Sequence, residues 1–228
     1  MKLLVSDFDH TLFTEDYLIN IKKINEFVDN GNMFVIATGR NLTYLKKDIS
    51  GFNIKYSYLI CNDGAVIFDK DEKVIYRNDI DQYFVKPLFS ILENDPNIEQ
   101  VFIDTTISYT KDLSNSANAV IAKPYDLIKA RELLITILKL FPSIHGYISA
   151  RWINLTNKKA NKGLAVQYLG NLLNISNDDI YTIGDNVNDI PMCEMFNGYA
   201  METAHQDLIK VSKGTKKAVF ELIDSISR

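Results

Sequence analysis

The chain repeats one pattern: a short apolar run stops at polar residues, and a stretch with helical periodicity follows. The four runs are KLLVSDFD from residue 2, MFVIATGR from residue 33, SYLICNDG from residue 57 and DIYTIGDN from residue 179. Apolar runs without polar alternation are typical of strands buried on both faces. Helices are predicted over residues 18–30, 42–49 and 161–173, the first two ending at Gly31 and near Gly51. This alternation predicts an α/β fold with a Rossmann-like, doubly wound parallel sheet.

The middle of the chain has a different pattern. VIFDK and KVIYR, which flank residues 71–72, predict a hairpin. The later segments predict helices over 82–92 and 127–140, with strands at 100–104, 119–122, 144–149 and 152–156. Hairpin-like strand pairs with two helices indicate an α+β insert. We therefore expect a discontinuous core, residues 1–80 and 157–228, and an inserted α+β cap over residues 81–156.

Composition narrows the class of protein. The 228 residues suffice for a core with a modest insert, and 46% hydrophobic with 24% charged residues is ordinary for a globular protein. A net charge of −4 argues against a nucleic-acid partner. No apolar run is long enough for a signal-peptide core or a membrane span. We expect a cytoplasmic protein with Cys61 and Cys193 as buried, reduced thiols. Its oligomeric state is not indicated.

Polar residues that end the apolar runs should meet in one crevice, because ligands of open α/β sheets bind beyond the carboxyl ends of the strands. Several carboxylates in one small site repel each other unless a cation neutralises them. Oxygen ligands completed by water suit Mg²⁺, a hard ion that pairs with substrate phosphate. The residues expected there are Asp7, Asp9, Thr38, Gly39, Asn62, Asp63, Asp185, Asn188 and Asp189.

Two carboxylates two residues apart, Asp7 and Asp9, can face one cleft while Phe8 points the other way. Asp7 is then a candidate nucleophile and metal ligand, attacking a phosphate ester to form an aspartyl-phosphate. Asp9 is the candidate general acid and base, which protonates the leaving oxygen and later takes a proton from water.

The other motifs supply groups that suit a phosphoryl substrate. The hydroxyl of Thr38 and the backbone at Gly39 are candidates for phosphate contacts. Lys162 stands at a predicted helix start, where the helix dipole adds to its charge, and it is a candidate phosphate clamp.

The segment GDNVND completes the predicted site. It offers Asp185 as a metal ligand and Asn188 as a phosphate donor. Asp189 is expected to orient Lys162 or the metal-bound waters.

Each motif taken alone also has an ordinary structural interpretation. The pair Asp7 and Asp9 can be solvated loop carboxylates. TGR can be a turn with Arg40 as a solvated charge, and Lys162 can face solvent. GDNVND can be a turn followed by a helix N-cap, with Pro191 in the first turn. These interpretations stay open for the motifs taken singly.

Together and in this order, DFDHT, TGR, NKG and GDNVND resemble the four motifs of the haloacid dehalogenase-like hydrolase superfamily. More narrowly, the chain resembles the Cof-type phosphatases, whose large α+β cap follows the second motif. The resemblance implies Asp7 as nucleophile, Asp9 as acid and base, and phosphate contacts from Thr38 and Lys162. It further implies Mg²⁺ held by Asp7, Asp185 and the Asp9 carbonyl. Asn188 and Asp189 match positions of phosphate contact and support.

Three positions depart from that pattern. His10 replaces a usual Gly, Asp63 stands where CNDGA would carry Asn, and Thr203 stands at an Asn position in GYAMETA. The cap is also shorter than is typical. These departures touch substrate access rather than the core chemistry.

The expected function is hydrolysis of small phosphorylated metabolites, with sugar phosphates the commonest substrates of look-alikes. A phosphomutase, or a phospho-acceptor or sugar-phosphate-sensing module without turnover, are the alternatives. Tyr147, Arg151 and Trp152 are candidate cap residues for a substrate pocket, although aromatic residues in a small cap also serve as core.

Overall fold

The computed structural model describes residues 1–149 and 151–227. Its strands are β1 (Leu3–Asp7), β2 (Met33–Ala37), β3 (Tyr58–Cys61), β4 (Val66–Asp69), β5 (Val74–Arg77), β6 (Ile98–Asp104), β7 (Tyr109–Thr110), β8 (Ala119–Pro124), β9 (Ile144–Ser149), β10 (Trp152–Asn157), β11 (Ile180–Gly184), β12 (Asn197–Met201) and β13 (Thr215–Lys216). Its helices are α1 (Tyr17–Asp29), α2 (Leu42–Ile49), α3 (Gln82–Glu93), α4 (Leu127–Leu140), α5 (Lys162–Leu173), α6 (Ile190–Met195), α7 (Gln206–Val211) and α8 (Val219–Ile226).

Eight strands form the larger sheet, in the order β13-β12-β11-β1-β2-β3-β4-β5. The pairs from β13 to β3 are parallel, and β4 and β5 extend the sheet as an antiparallel hairpin. The strand order reverses at β1, which pairs with β2 on one side and with β11 on the other. Such a reversal opens a crevice beyond the carboxyl ends of β1 and β11.

Burial explains why these segments lack alternation. Every residue of β1 is buried, and so is every residue of β2 except the first. Helix α1 packs against β2 and α8, and α6 packs against β11 and α5. A sheet covered on both faces needs apolar side chains at successive positions. The predicted doubly wound α/β core is therefore confirmed.

The smaller sheet is antiparallel, with strand order β7-β6-β8-β10-β9. Helix α3 packs against β6 and β8, and α4 packs against β9. A separate hydrophobic cluster, which runs from Ile80 to Leu155, fills the space between these helices and one face of the sheet. The opposite face of the antiparallel sheet carries fewer buried apolar residues and faces the larger sheet.

The predicted segments match these elements, including the hairpin of β4 and β5 and the strands β9 and β10. The sequence patterns did not predict β7, β12, β13, α7 or α8, and the start of α6 was anticipated only in the interpretation of GDNVND as a turn followed by a helix N-cap. The missed elements have between two and eight residues, so periodicity has little length in which to develop.

A tight turn after β3 shapes the site edge. Asn62, Asp63 and Gly64 have φ values of 51°, 53° and 92°, all in the left-handed region. A Cβ atom on Gly64 would clash with the backbone of Asn161 and would lie 2.8 Å from the backbone nitrogen of Lys162. The glycine thus lets this turn lie directly against the start of α5.

We expect Gly64→Ala to lower the free energy of unfolding by at least about 3 kcal/mol, since left-handed strain adds to a backbone clash. Gly31→Ala is the matched control: Gly31 has φ of 82° but no atom within 4 Å of an added Cβ. Its cost should be about 1 kcal/mol. Urea unfolding of both variants measures the difference, and equal costs would contradict the close packing of the turn on α5.

Candidate active site

A cavity of about 780 Å³ lies between the two sheets, at the carboxyl ends of β1, β2 and β11. Its floor carries residues of the predicted site, and its roof is formed by the exposed face of the antiparallel sheet. The floor residues are Asp7, Asp9, His10, Gly39, Arg40, Asn62, Asp63, Asp185, Asn186 and Asn188. The crevice predicted from the ends of the apolar runs thus exists as one space.

Lys162 is fully buried behind this floor, at the first residue of α5. Its ammonium donates to Asp7 Oδ1 at 2.5 Å and to Asp189 Oδ1 at 2.6 Å. Burial alone would lower the pKa of Lys162, but the carboxylates of Asp189 and Asp7 outweigh it and raise that pKa above its ordinary value. Lys162 is therefore a cation at every physiological pH.

Asp189 ties this cation to the loop after β11. Its other oxygen, Oδ2, accepts the backbone N–H groups of Asp185 and Asn186, each at 3.0 Å. The loop geometry that brings Asp185 to the cavity is thus fixed by the same carboxylate that holds Lys162. At the other side, the Asn161 side chain caps α5 by accepting the Leu164 N–H at 2.9 Å.

Three carboxylates, Asp7, Asp185 and Asp189, bring oxygen atoms within 4.8 Å of one another. Burial raises the pKa of Asp7 well above its usual range; Lys162 opposes this, while the Asp189 and Asp185 charges add to it. The pKa of Asp185 is raised by burial and by Asp189. One ammonium does not balance three carboxylates, so an all-oxygen donor set with excess negative charge suits a hard divalent cation such as Mg²⁺.

Asp9 lies on the cavity wall with both oxygens on Arg40. The guanidinium donates through Nε to Asp9 Oδ2 at 2.9 Å and through Nη2 to Oδ1 at 2.5 Å. Arg40 also pairs with Asp48 and lies over the Phe8 ring at 5.2 Å. Arg40 is thus half-buried and paired, and the interpretation of it as a solvated charge is wrong.

Thr38 and Gly39 follow β2 at the same edge, but they differ in access. Gly39 lines the cavity, whereas Thr38 is fully buried and does not. The Thr38 hydroxyl accepts the Arg40 backbone N–H at 3.1 Å. Phosphate contact by Thr38 therefore stays a prediction.

Asp63 joins the two sheets. Its Oδ1 accepts from Asn188 Nδ2 at 2.9 Å, and its Oδ2 accepts from the Tyr147 hydroxyl on β9. Asn188 does line the cavity, so a phosphate there would share its amide with Asp63. Its role as a phosphate donor also stays a prediction.

Two of the three positions that depart from the family pattern, His10 and Asp63, have a backbone reason. His10 has φ of 58° and Asp63 has φ of 53°, both left-handed, where Gly or Asn is favoured. His and Asp are among the other residues that tolerate this region. Both line the cavity, so each departure changes the chemistry of the floor while keeping its shape. Thr203 lies exposed in the turn before α7.

The haloacid dehalogenase-like hydrolase family matches residues 4–133 and 102–219, which together span most of the sequence. The chain belongs to this family. The resemblance carried by the four motifs is thereby confirmed, and the geometry described above is that of a haloacid dehalogenase-like hydrolase.

Named relatives include phosphatases. A phosphoglycolate phosphatase of Methanosarcina mazei is 27% identical over 207 residues, covering 90% of this chain and 84% of its own. Phosphatase YwpJ of Bacillus subtilis is 24% identical over 272 residues, covering 93% of each chain. A solved haloacid dehalogenase subclass IIB sugar phosphatase has a TM-score of 0.82 at 18% identity, covering 100% of this chain and 98% of its own. That likeness shows the shared fold, including the antiparallel unit.

Two further observations bear on the sequence-based predictions. Both Cys61 and Cys193 are buried and carry free thiols. Among residues 1–149 and 151–227, no helix combines the length and the apolar character that crossing a bilayer requires.

Sequence reasoning about this hydrolase missed Asp104. It ends β6, is 4% exposed, and lines the cavity from the antiparallel sheet. Its Oδ1 accepts from Asn41 Nδ2, at the start of α2, at 3.0 Å. A carboxylate that ends a strand is the one sequence signal that would have marked it, and the same signal had marked Asp7.

Burial raises the pKa of Asp104 to about 8, with Asn41 and Asn62 lowering it and the Asp63 charge raising it. The folded protein then keeps a proton that the unfolded chain releases near pH 4. Stability from this group is complete below pH 4 and is lost as the pH rises toward 8. We expect Asp104→Asn to make the unfolding free energy less dependent on pH in this window, by up to about 1.4 kcal/mol per unit.

Urea unfolding without divalent cations, at half-unit pH steps, measures this slope. Asp126→Asn is the control, because backbone N–H groups of Lys129 and Ile128 lower the pKa of that exposed carboxyl below the window. An Asp104→Asn slope equal to that of wild type would show that Asp104 titrates normally.

Proposed function

We propose that the chain is a Mg²⁺-dependent phosphatase that hydrolyses small phosphorylated metabolites through an aspartyl-phosphate on Asp7. The observation that carries the proposal is the position of Asp7 at the cavity floor, hydrogen-bonded to a fully buried Lys162 and grouped with two further carboxylates. Membership in a hydrolase family, with relatives named phosphatases, supports the same reaction class.

In the first half-reaction, a carboxylate oxygen of Asp7 attacks phosphorus. The new bond joins Asp7 to phosphorus, and the bond between phosphorus and the ester oxygen breaks. Asp9 gives its proton to the departing oxygen, so the leaving group departs as a neutral alcohol. For Asp9 to carry that proton, one of its oxygens must release Arg40.

In the second half-reaction, water attacks phosphorus of the aspartyl-phosphate. Asp9, now ionised, takes a proton from the water, and the bond from phosphorus to Asp7 breaks. Inorganic phosphate leaves, Asp7 is a carboxylate again, and Asp9 is again protonated. Asp9 thus serves as the acid in the first half-reaction and as the base in the second.

Lys162 stays cationic through both steps, since two carboxylates hold its pKa high. We infer that it orients Asp7 and offsets charge on the transferring phosphoryl group. Asp189 keeps Lys162 and the loop carrying Asp185 in place, and Thr38, Gly39 and Asn188 are the further phosphate contacts that we propose.

Mg²⁺ would be held by Asp7 and Asp185, together with the Asp9 carbonyl. When bound, it would neutralise carboxylate repulsion and polarise the phosphoryl oxygens. The excess of negative charge around Asp7 supports this assignment.

We further infer that residues 81–156 form a cap domain over a core made of residues 1–80 and 157–228. Contacts from Asn41 to Asp104, from Asn62 to the Thr105 carbonyl and from Tyr147 to Asp63 close it over the cavity. A closed cap excludes water and contacts the part of the substrate that does not react.

Sugar phosphates suit this cavity, since Ser149 and Asn154 offer hydrogen bonds and Trp152 an apolar face. The cytoplasmic location stays a prediction from the sequence, as does the absence of nucleic-acid and membrane partners.

We expect purified protein to release inorganic phosphate from p-nitrophenyl phosphate with Mg²⁺, and to lose nearly all activity after treatment with EDTA. Restoring free Mg²⁺ should restore the rate, because the carboxylates around Asp7 need a neutralising cation. A phosphate-release assay measures this, and product analysis on sugar phosphates separates hydrolysis from isomerisation by a phosphomutase. Undiminished activity in excess EDTA would contradict the metal assignment.

Substitution of Asp7 and substitution of Asp9 should impair different steps of the reaction. Asp7→Asn should abolish turnover and covalent phosphorylation, because an amide is a poor nucleophile. Asp9→Asn should lower turnover by roughly 10²–10⁴-fold yet still permit slow phosphorylation by p-nitrophenyl phosphate, whose leaving group needs no proton. Intact-protein mass spectrometry and steady-state rates follow both, with Asp71→Asn on an exposed loop as the control. A tenth of the wild-type rate in Asp7→Asn would rule out this nucleophile.

A further inference from the structure

The roof of the cavity is built from one row of residues in register across the antiparallel sheet. Phe102 on β6 pairs with Ile121 on β8, Ile121 pairs with Asn154 on β10, and Asn154 pairs with Tyr147 on β9. All four residues line the cavity. Because residues paired in this way point to the same side, the row faces the floor as a continuous strip.

One part of the strip, at β6 and β8, is apolar. Phe102 and Ile121 are neighbours in it, and Trp152 lies one pair further along, beside Ser149. A flat apolar surface of this kind packs against the carbon face of a ring or chain. The polar groups of Asn154 and Ser149 stand at its border.

Asp104 lies in the next row toward the floor, paired with Ala119. Its Oδ1 accepts from Asn41 Nδ2, and a side-chain hydrogen bond from Asn62 also lowers the pKa of this carboxyl. Ala119 beside it is small, so the carboxyl borders open cavity. A carboxylate has about four lone-pair sites, so a carboxyl that lines a ligand cavity can accept a further hydrogen bond from a donor group of the ligand.

Arg and Lys side chains are scarce in the cavity lining around Asp104; outside the lining, the Lys111 ammonium lies 5.8 Å from the centre of the Phe102 ring. Among the described residues that line the cavity, Arg40 is the only Arg or Lys, and it is already paired with Asp9 and Asp48. Lys123 lies on the same strand as Ile121 but outside the lining, and it pairs with Glu99 at 2.9 Å. Arg151 is exposed and also outside the lining.

Resting on the phosphatase proposed above, we infer that Asp104 selects the leaving group. The geometry fits phosphate monoesters whose leaving group combines an apolar face with a hydroxyl or ammonium donor. A leaving group with a second anion, such as a carboxylate, meets the Asp104 carboxyl in a cavity whose described lining offers no Arg or Lys other than the paired Arg40. This places the chain apart from a phosphatase for phosphoglycolate, whose leaving group, glycolate, carries a carboxylate.

The contact with Asn41 gives Asp104 a second possible role, that of a brace between α2 and the cap. A brace affects all substrates alike, whereas a selector changes the ratio between substrates whose leaving groups have opposite charge. The ratio of kcat/KM values is therefore the deciding measurement, since steps shared by the substrates cancel in it.

Three aryl esters isolate charge from shape: phenyl phosphate, 4-(aminomethyl)phenyl phosphate and 4-carboxyphenyl phosphate. We expect the ammonium ester to exceed the carboxylate ester in kcat/KM by about tenfold or more at pH 8.5. The ratio should be smaller at pH 6.5, where Asp104 holds its proton. Asp63 and Cys61 at the end of β3 and Tyr109 on β7 are the other titratable groups that face Asp104.

Asp104→Asn keeps the size of the side chain and one oxygen that can accept from Asn41, but it removes the negative charge. It should bring the ratio at pH 8.5 down by about tenfold and abolish its change with pH. Asp126→Asn, which removes a cap carboxylate outside the cavity, should keep the wild-type ratio at both pH values. Phosphoethanolamine and 2-phosphoglycolate, two small esters whose leaving groups have opposite charge, should rank in the same order as the aryl pair.

The outcomes separate the two proposals. Hydrolysis of phenyl phosphate with equal rates for the charged esters in wild type overturns the selector and leaves the phosphatase intact. An unchanged ratio in Asp104→Asn also overturns it, in favour of a brace. Release of phosphate from none of the esters overturns the proposed function and the selector with it. The wild-type ratio decides the case even where Asp104→Asn fails to fold.

Discussion

The buried ammonium of Lys162 is the interaction on which the rest of the site depends. A charge without exposure to solvent persists only when it is paired, and here Asp7 and Asp189 pair it at 2.5 and 2.6 Å. These three residues come from β1, from the start of α5 and from the loop after β11. Removing either carboxylate would leave an uncompensated buried cation, so the electrostatics bind three distant segments of chain into one unit.

The surrounding backbone is arranged to keep that pairing in place. Gly64 allows the left-handed turn after β3 to lie against the start of α5, and Asp189 holds the loop of Asp185 through two backbone N–H groups. The same turn presents Asp63 to Tyr147 of the antiparallel sheet. The position of the cation, the shape of the floor and the seating of the roof are therefore coupled through residues 61–64.

The sequence predicted what depends on local pattern and left unpredicted what depends on partners. Buried strands and the carboxylates at their ends, Asp7 among them, follow from apolar runs that stop at polar residues. Arg40 was not assigned because its two carboxylate partners, Asp9 and Asp48, lie 31 and 8 residues away and only the fold brings them together. The burial of Thr38 and the cavity position of Asp104 likewise follow from how the sheets face each other, which no single segment encodes.

The central place of β1 has a consequence for how the chain folds. β1 pairs with β2 about 30 residues away, but its other neighbour, β11, begins at residue 180. While the chain is being synthesised, β1 therefore presents an open, apolar edge for as long as the intervening residues take to emerge. Such unpaired edges invite association between nascent chains, and pairing between distant segments is slow. The antiparallel unit, whose strands pair over short distances in sequence, can fold during that interval, so it would be complete before the sheet that surrounds its insertion point.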